Sequence, residues 1–394
     1  MIYLDNSATT KQYDEVTELV YKVSKETFGN PSSLHAAGFE ASKLLKKARA
    51  QTGALLPSGG SLIFTSGGTE SDNMALISSA AKMKKRGNKI ITTAVEHPAV
   101  TETCKRLAQE GFVIEYLPVD ERGCIKVEDM SSALGEDVVL VSAMSVNNET
   151  GSIFPINEIA DSISKFNKAN GREIIFHTDA VQAYGKLDLT GCKADLISAS
   201  AHKFHGPKGV GLLHMRDGLK IPPFITGGRQ EGGMRSSTEN TTGIAGMGLA
   251  AEISARDMQS KIRKIAEVSE YLREGMMSEI ADIKINGAFE VGYSMADFGM
   301  RYPSVLNLTF EGTRGEVLLH TLEQDGIYVS TGSACSSNHS GESPVLKAMG
   351  LTPKQIEGAI RFSFSEFNTK EEMDFVIDRT KAAVERFRKL GSYQ

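Results

Sequence analysis

The feature that most constrains this chain is a repeated change of hydrophobic period between about residues 61 and 216, where short apolar runs alternate with longer amphipathic stretches. "SLIFTS" (61–66) precedes a helical 69–86, and "KIITTAV" (89–95) precedes another helix near 98–110. "VVLVSAMSV" (138–146) leads through a turn to a helical 156–169. "EIIFHTDA" (173–180), "LISASAHK" (196–203) and "VGLLHMR" (210–216) complete the set. Strands alternating with helices predict a mainly parallel sheet covered on both faces. In such sheets the ligand site lies beyond the carboxyl ends of the strands.

The remainder has another pattern. A glycine-rich stretch, "TGGRQEGGMRSS" (226–237), leads into one long helical region from about 241 to 281. "SVLNLTF" (304–310), a helix at about 314–325, "IYVSTG" (327–332), "AIRFSFS" (359–365) and a final helix over 369–390 follow. The final helix opens on "NTKEE", where Asn368 or Thr369 can cap and the acids suit the first turn. This predicts a second, smaller α+β domain beside the α/β one, as a length of 394 residues allows.

A formal charge of −5 gives no reason to expect nucleic acid bound over a broad surface. The basic cluster Lys82, Lys84, Lys85 and Arg86 falls in one last helical turn, where it opposes the helix dipole. The four cysteines, at 104, 124, 192 and 335, have neither the short spacing of a metal or redox motif nor a disulfide-dense pattern. "MIYLDNSATT" lacks the basic start and apolar core of a signal peptide, and no apolar run reaches membrane-span length. A reducing cytoplasm is the expected setting.

Several polar stretches follow strands. "TSGGTESDN" (65–73) opens a helix, where Gly68 and its neighbour allow close backbone approach and Thr69 offers a hydroxyl to a phosphate. The same residues also read as a capped turn, with Thr69 and Asp72 as a weak capping box. Asp179 in "HTDAVQAYG" can pair with a cationic ring nitrogen, support a metal, or cap a helix. Lys203 in "SASAHKFHGPKGVG" sits beside Ser200 and His202 and can form a Schiff base, or be a surface lysine. His97 in "AVEHPAV" and Asn148 in "VNNETG" are candidate ligands or ordinary turn residues. Together these supply a phosphate cradle, a carboxylate, a lysine and an imidazole at the strand ends of one sheet. That set matches pyridoxal 5′-phosphate.

Ten stretches in order, "YLDNSATT", "FGNPSSLH", "FTSGGTESDN", "EHPAV", "VNNETG", "HTDAVQ", "SAHKFHGPKG", "GGMRSST", "STGSACSS" and "IRFSFS", resemble the class I cysteine desulfurases, NifS- and IscS-like members of the class V aminotransferase superfamily. The resemblance runs nearly end to end. It implies pyridoxal-phosphate transferase fold type I, with a large domain (16–256) built on a mainly parallel seven-stranded sheet. A small domain, 1–15 with 257–394, would carry a mobile cysteine loop at about 330–344. It further implies that Lys203 holds the cofactor covalently, Asp179 pairs with the ring nitrogen, Gln182 bonds the ring hydroxyl oxygen and His97 stacks on the ring. Gly68, Thr69, Ser200 and His202 would bind phosphate, joined by Thr238 from the second subunit of a homodimer. Asn148 and Arg361 would fix the substrate, Arg361 as a planar fork for its carboxylate.

The implied reaction converts L-cysteine to L-alanine and leaves the sulfur on Cys335 as a persulfide, for an iron–sulfur scaffold or a tRNA thiolation enzyme. Neither membrane nor direct nucleic-acid contact is expected. The serines, Gly341 and Asn338 around Cys335 offer few apolar anchors, and an arm of about six residues would reach on the order of 20 Å. Cys104, Cys124 and Cys192 read as structural or incidental. The rival readings are another enzyme of the superfamily, such as a selenocysteine lyase, and a non-catalytic binding protein on the same fold. The chain ends at "RKLGSYQ", soon after the last helix, which ranks a dedicated acceptor close to the general scaffold. The family's usual "DNAATT" is "DNSATT" here, with Ser7 in place of alanine.

Overall fold

A computed structural model describes residues 1–331 and 342–391. Seven strands form the large sheet: β1 (Ser61–Thr65), β2 (Lys89–Thr93), β3 (Val113–Leu117), β4 (Val138–Ser142), β5 (Ile175–Asp179), β6 (Leu196–Ser200) and β7 (Gly211–Met215). Their order is β1-β7-β6-β5-β4-β2-β3. β3, β2, β4, β5 and β6 run parallel, and β7 lies antiparallel between β6 and β1. The expectation of a mainly parallel seven-stranded sheet is met.

The alternation of side chains along the strands divides the core in two. Ile90, Leu140, Ile175, Leu196 and Leu213 face Met74 and Leu76 of the helix Gly68–Met83 and Val100 and Leu107 of the helix Pro98–Gln109. Their neighbours Ile91, Val141, Phe176, Ile197 and Leu212 pack on the other face with Ile159 of the helix Ile156–Asn170 and Met247 of the helix Thr241–Ala255. Every residue of β4 to β7 is buried, which is why these strands read as unbroken apolar runs. β3 is the exception. As an edge strand it is only partly buried, and Glu115 breaks its run of apolar residues.

A second sheet holds β8 (Ile283–Ile285), β9 (Val305–Phe310) and β10 (Ala359–Ser363), antiparallel in the order β10-β9-β8. Leu306, Phe310 and Phe362 pack there with Leu272 of the helix Met258–Glu279 and Val376 of the helix Lys370–Gly391. The long helical region expected over about 241–281 is made of two helices, Thr241–Ala255 and Met258–Glu279. Between them Asp257 adopts φ +55°, a left-handed conformation that ends one helix and redirects the next. Of the two candidate caps on the last helix, Thr369 is the one used. Its hydroxyl accepts from the Glu372 N–H at 3.3 Å while the Glu372 carboxylate accepts from the Thr369 N–H at 3.2 Å.

The N-terminal segment ties the two sheets together. Ile2–Tyr3 pairs in parallel with Ile327–Tyr328, Asp5 bridges to Ser363 at the end of β10, and the Thr10 N–H donates to the His202 carbonyl at 2.9 Å. Residues 5–10 therefore run from the small sheet to the turn after β6. Among the described residues no helix is long and apolar enough to cross a membrane.

Candidate active site

The carboxyl ends of β5 and β6 and the start of the helix Gly68–Met83 open on one cavity of about 250 Å³. Gly68, Thr69, Ser200 and His202 line one part of it, and His97, Asn148, Asp179 and Gln182 another. Lys203 and Arg361 complete the wall, together with Ser7 and Asp72. Ten of the predicted residues thus meet in one place. Thr238 does not line this cavity; it is exposed on the segment before the helix Thr241–Ala255. Cys335 lies outside the described residues.

Each side chain is held by local structure. Asp179 is the last residue of β5, and its carboxylate accepts from the Val181 N–H at 2.9 Å. Burial, reinforced by the neighbouring Asp72 carboxylate, holds its pKa above the ordinary carboxylate range. His97 caps the helix Pro98–Gln109, its Nδ1 accepting from the Ala99 N–H at 3.1 Å. A neutral ring so bonded carries its proton on Nε2. Burial favours that neutral form; the Lys203 charge adds to the effect and Asp179 opposes it.

Lys203 ends a short helical turn, Ala201–Lys203, that continues from β6. Its amine donates to the carbonyl oxygens of Ser7 at 2.7 Å and Ala8 at 2.8 Å. Gln182 Nε2 donates to the same Ser7 carbonyl at 3.0 Å. His202 Nδ1 lies 3.2 Å from the Thr9 hydroxyl, and burial with the charges of Lys203 and Lys208 pushes its pKa down to about 4. The ring is neutral at pH 7. Gly68 has no room for a side chain, since a Cβ there would stand 2.7 Å from Val181 Cγ2.

The weak capping box of Thr69 with Asp72 is not formed. No side chain caps this helix; Glu70 Oε2 instead accepts from the Ser66 N–H, just ahead of its start, at 2.8 Å. Asp72 is buried against the sheet instead, with Oδ1 3.4 Å from His177 Nε2, and burial raises its pKa to about 7. His177 is held between the hydroxyls of Ser142 and Ser198, each at 2.9 Å. In "VNNETG" the turn is closed by Asn147, whose Oδ1 accepts from the N–H groups of Glu149 and Thr150. That releases Asn148 to line the cavity. Its carbonyl accepts from Arg361 Nη1 at 3.0 Å, and Arg361 Nη2 meets Asp5 Oδ1 at 2.8 Å.

The sequence reading missed Asp5, Asp72, the Ser7 and Ala8 carbonyls and His177. It found the residues at strand ends because position along an α/β sheet is itself a signal.

The chemistry of this donor set can be tested against pyridoxal 5′-phosphate. A buried carboxylate with a raised pKa at the foot of the cavity suits a cationic ring nitrogen, which would restore its charge. A lysine amine stands in the same cavity for the aldehyde, and a helix start with Thr69, Ser200 and a neutral His202 suits the phosphate. Ser7 and Arg361 both line the cavity, although Ser7 Oγ and Arg361 Nε are themselves buried in protein with no hydrogen-bond partner among the described residues. The residues present fit the cofactor. Fold and site together define a pyridoxal-phosphate enzyme of fold type I.

Comparison with known proteins narrows the class. The aminotransferase class-V family matches residues 2–376. Cysteine desulfurase IscS of Clostridium botulinum is 41% identical over 393 residues, covering 99% of this chain and 96% of the relative. Cysteine desulfurase NifS of Azotobacter vinelandii is 40% identical, covering 100% of this chain and 94% of the relative. The solved structure of a NifS-like protein superposes with a TM-score of 0.88 at 37% identity, covering 98% of this chain and 99% of that one. The chain belongs to the class-V aminotransferase family and, within it, to the cysteine desulfurases.

Proposed function

We propose that this pyridoxal-phosphate enzyme removes sulfur from L-cysteine, passes it to Cys335, and releases L-alanine. The observation that carries the reading is that the Lys203 amine and the Arg361 guanidinium share one cavity with Asp179 and His97. An amino acid held by its carboxylate on Arg361, beside Asn148, can then present its α-carbon to the lysine. When bound, the cofactor supplies an electron sink for charge that develops at the substrate carbon. Asp179 keeps the ring nitrogen cationic, Gln182 faces the ring oxygen, and Gly68, Thr69, Ser200 and His202 anchor the phosphate. Lys203 takes the α-proton, and His97, with its proton on Nε2 and lining the same cavity, passes protons.

The Cys335 thiolate attacks the substrate sulfur. An S–S bond forms as the C–S bond breaks, and its electron pair stays with carbon, which takes up a proton to become the methyl group of alanine. Cysteine and thiol thus give alanine and persulfide with no external oxidant. Cys104, Cys124 and Cys192 are buried, with thiol pKa values pushed up to about 12, 12 and 11, so they stay protonated and are poor nucleophiles. Cys335→Ser is expected to cut alanine and sulfide formation from cysteine at least about 100-fold, a loss typical of removing a nucleophile, while the near-visible cofactor band persists. Wild-type rates in that variant would overturn the reading.

The same proposal includes a homodimer in which Thr238 reaches the phosphate of the other subunit. Its support is the exposure of Thr238 outside its own cavity and of Tyr21, Phe28, Leu34 and Phe39 on the N-terminal segment. Sedimentation velocity across a dilution series tests it, and a monomer at all concentrations removes it. We place the enzyme in the cytoplasm, with a large unit (16–256), a small unit (1–15 with 257–394), and an iron–sulfur scaffold or tRNA thiolation enzyme as sulfur acceptor.

A further inference from the structure

We propose that Lys186 is a positioning residue for the cofactor, fixing the Gln182 amide so that one of its N–H groups faces the ring hydroxyl oxygen. The proposal rests on the assignment of Gln182 to that oxygen. Lys186 Nζ donates to Gln182 Oε1 at 2.8 Å, and Gln182 Nε2 donates to the Ser7 carbonyl at 3.0 Å. A carbonyl only accepts and an ammonium only donates, so both partners select the same orientation of the amide. Of the two N–H bonds on Nε2, one is spent on Ser7. The other belongs to a side chain that lines the cofactor cavity.

Lys186 itself does not line that cavity. It borders a separate void of about 40 Å³, together with Lys203, His205, Lys261 and Glu366. It therefore acts through Gln182 rather than on the cofactor. The charged groups that bear on its amine are Lys203, which repels it, and Glu366, which opposes that effect. Burial is the largest influence and, with Lys203, lowers the amine's pKa to about 7. While protonated, the amine polarises the amide and strengthens its remaining N–H as a donor. A stronger donor at the ring oxygen favours the oxygen's anionic form, which then holds the proton of the lysine linkage less tightly.

The test is a pH titration of the near-visible absorbance of the resting holoenzyme, without cysteine. Its outcome is independent of whether sulfur reaches Cys335. Lys186→Met is expected to move the midpoint upward by about 0.5 to 1 pH unit, the size of one weakened hydrogen bond. Gln182→Leu should shift it in the same direction, and the double variant should match Gln182→Leu alone. Lys186→Arg, which keeps a cationic donor, should return the midpoint toward wild type. An unmoved midpoint in Lys186→Met, or shifts that add in the double variant, would overturn the proposal. If Gln182→Leu leaves the midpoint in place, the ring-oxygen assignment fails and the proposal falls with it. Should Lys186→Met not fold, Lys186→Gln gives the same readout with a neutral side chain.

Discussion

Arg361 Nη2 and Asp5 Oδ1 stand 2.8 Å apart at the edge of the cofactor cavity, while Arg361 Nε is buried with no partner among the described residues. The ion pair and the Asn148 carbonyl use two of the five guanidinium N–H bonds and hold its plane. One N–H on each of Nη1 and Nη2 is left for the carboxylate of the proposed substrate, a charge-assisted pairing that suits the planar fork. Arg361→Lys keeps the charge and loses the fork. KM for cysteine should rise on the order of 10- to 100-fold, equivalent to about 1.5–3 kcal/mol, with the cofactor band unchanged. Asp5→Asn separates the two contributions, since an equal rise in KM there would assign the effect to the ion pair rather than to substrate.

Lys203 donates to two consecutive carbonyls, those of Ser7 and Ala8, which hold its amine in the cavity that Asp179 also lines. Borohydride reduction of the wild-type holoenzyme should fix the cofactor's mass on the peptide containing Lys203. In Lys203→Ala no covalent adduct should form, although the residues proposed to hold ring nitrogen and phosphate remain. A reduced adduct on any other lysine of the variant would show that the covalent link had been assigned wrongly.

The interior of the fold was legible because β4 to β7 are buried on both faces and so leave unbroken apolar runs. Edge strand β3 was not, because Glu115 interrupts its apolar residues and leaves no unbroken run, even though Val113 and Tyr116 are exposed apolar positions. The break at Asp257 was hidden for a different reason: its left-handed turn is made by a residue that gives no glycine signal. Asp179, Lys203 and His97 were legible as polar residues closing apolar strands. Asp72 misled, since the helix begins at Gly68 rather than after Thr69, which carries Asp72 past the first turn and against the sheet. The Ser7 carbonyl was beyond reach, because a backbone acceptor 196 residues from its lysine has no side-chain signature.

Glu96 gives a pH dependence of stability. Its Oε1 accepts from the Thr93 hydroxyl at 2.6 Å and the Met144 N–H at 3.0 Å, while Oε2 is buried without a partner among the described residues. Burial pushes its pKa up to about 8, the Asp179 and Asp72 carboxylates adding to the effect and the two hydrogen bonds opposing it. A folded-state pKa above the unfolded value of about 4.3 means that the native state holds the extra proton between those limits. Stability is then greatest at the acid end and falls as pH rises toward 8, by at most about 1.4 kcal/mol per pH unit from this group. Glu96→Gln should flatten the decline in melting temperature of the cofactor-free protein between about pH 5 and 8. Asp72 and Glu149, each raised to about 7 chiefly by burial, will leave part of the slope. An unchanged slope would mean that Glu96 is charged in the folded protein.

Ser7 separates a backbone role from a side-chain one. Its N–H donates to Ser363 Oγ at 2.9 Å and its carbonyl receives both Lys203 and Gln182, so a change to alanine preserves every one of these bonds. Its hydroxyl is buried without a partner among the described residues and belongs to a residue lining the cofactor cavity. Such an orphan costs about 1–3 kcal/mol in the cofactor-free protein. Ser7→Ala should therefore raise the melting temperature of that form, and the gain should persist on loading with pyridoxal 5′-phosphate, because the hydroxyl is buried in protein rather than open to the cavity. Differential scanning calorimetry of both proteins in both forms gives the comparison. A gain that vanished on loading would show instead that the hydroxyl acquires a partner from the cofactor, and that serine at this position is a ligand rather than a tolerated defect.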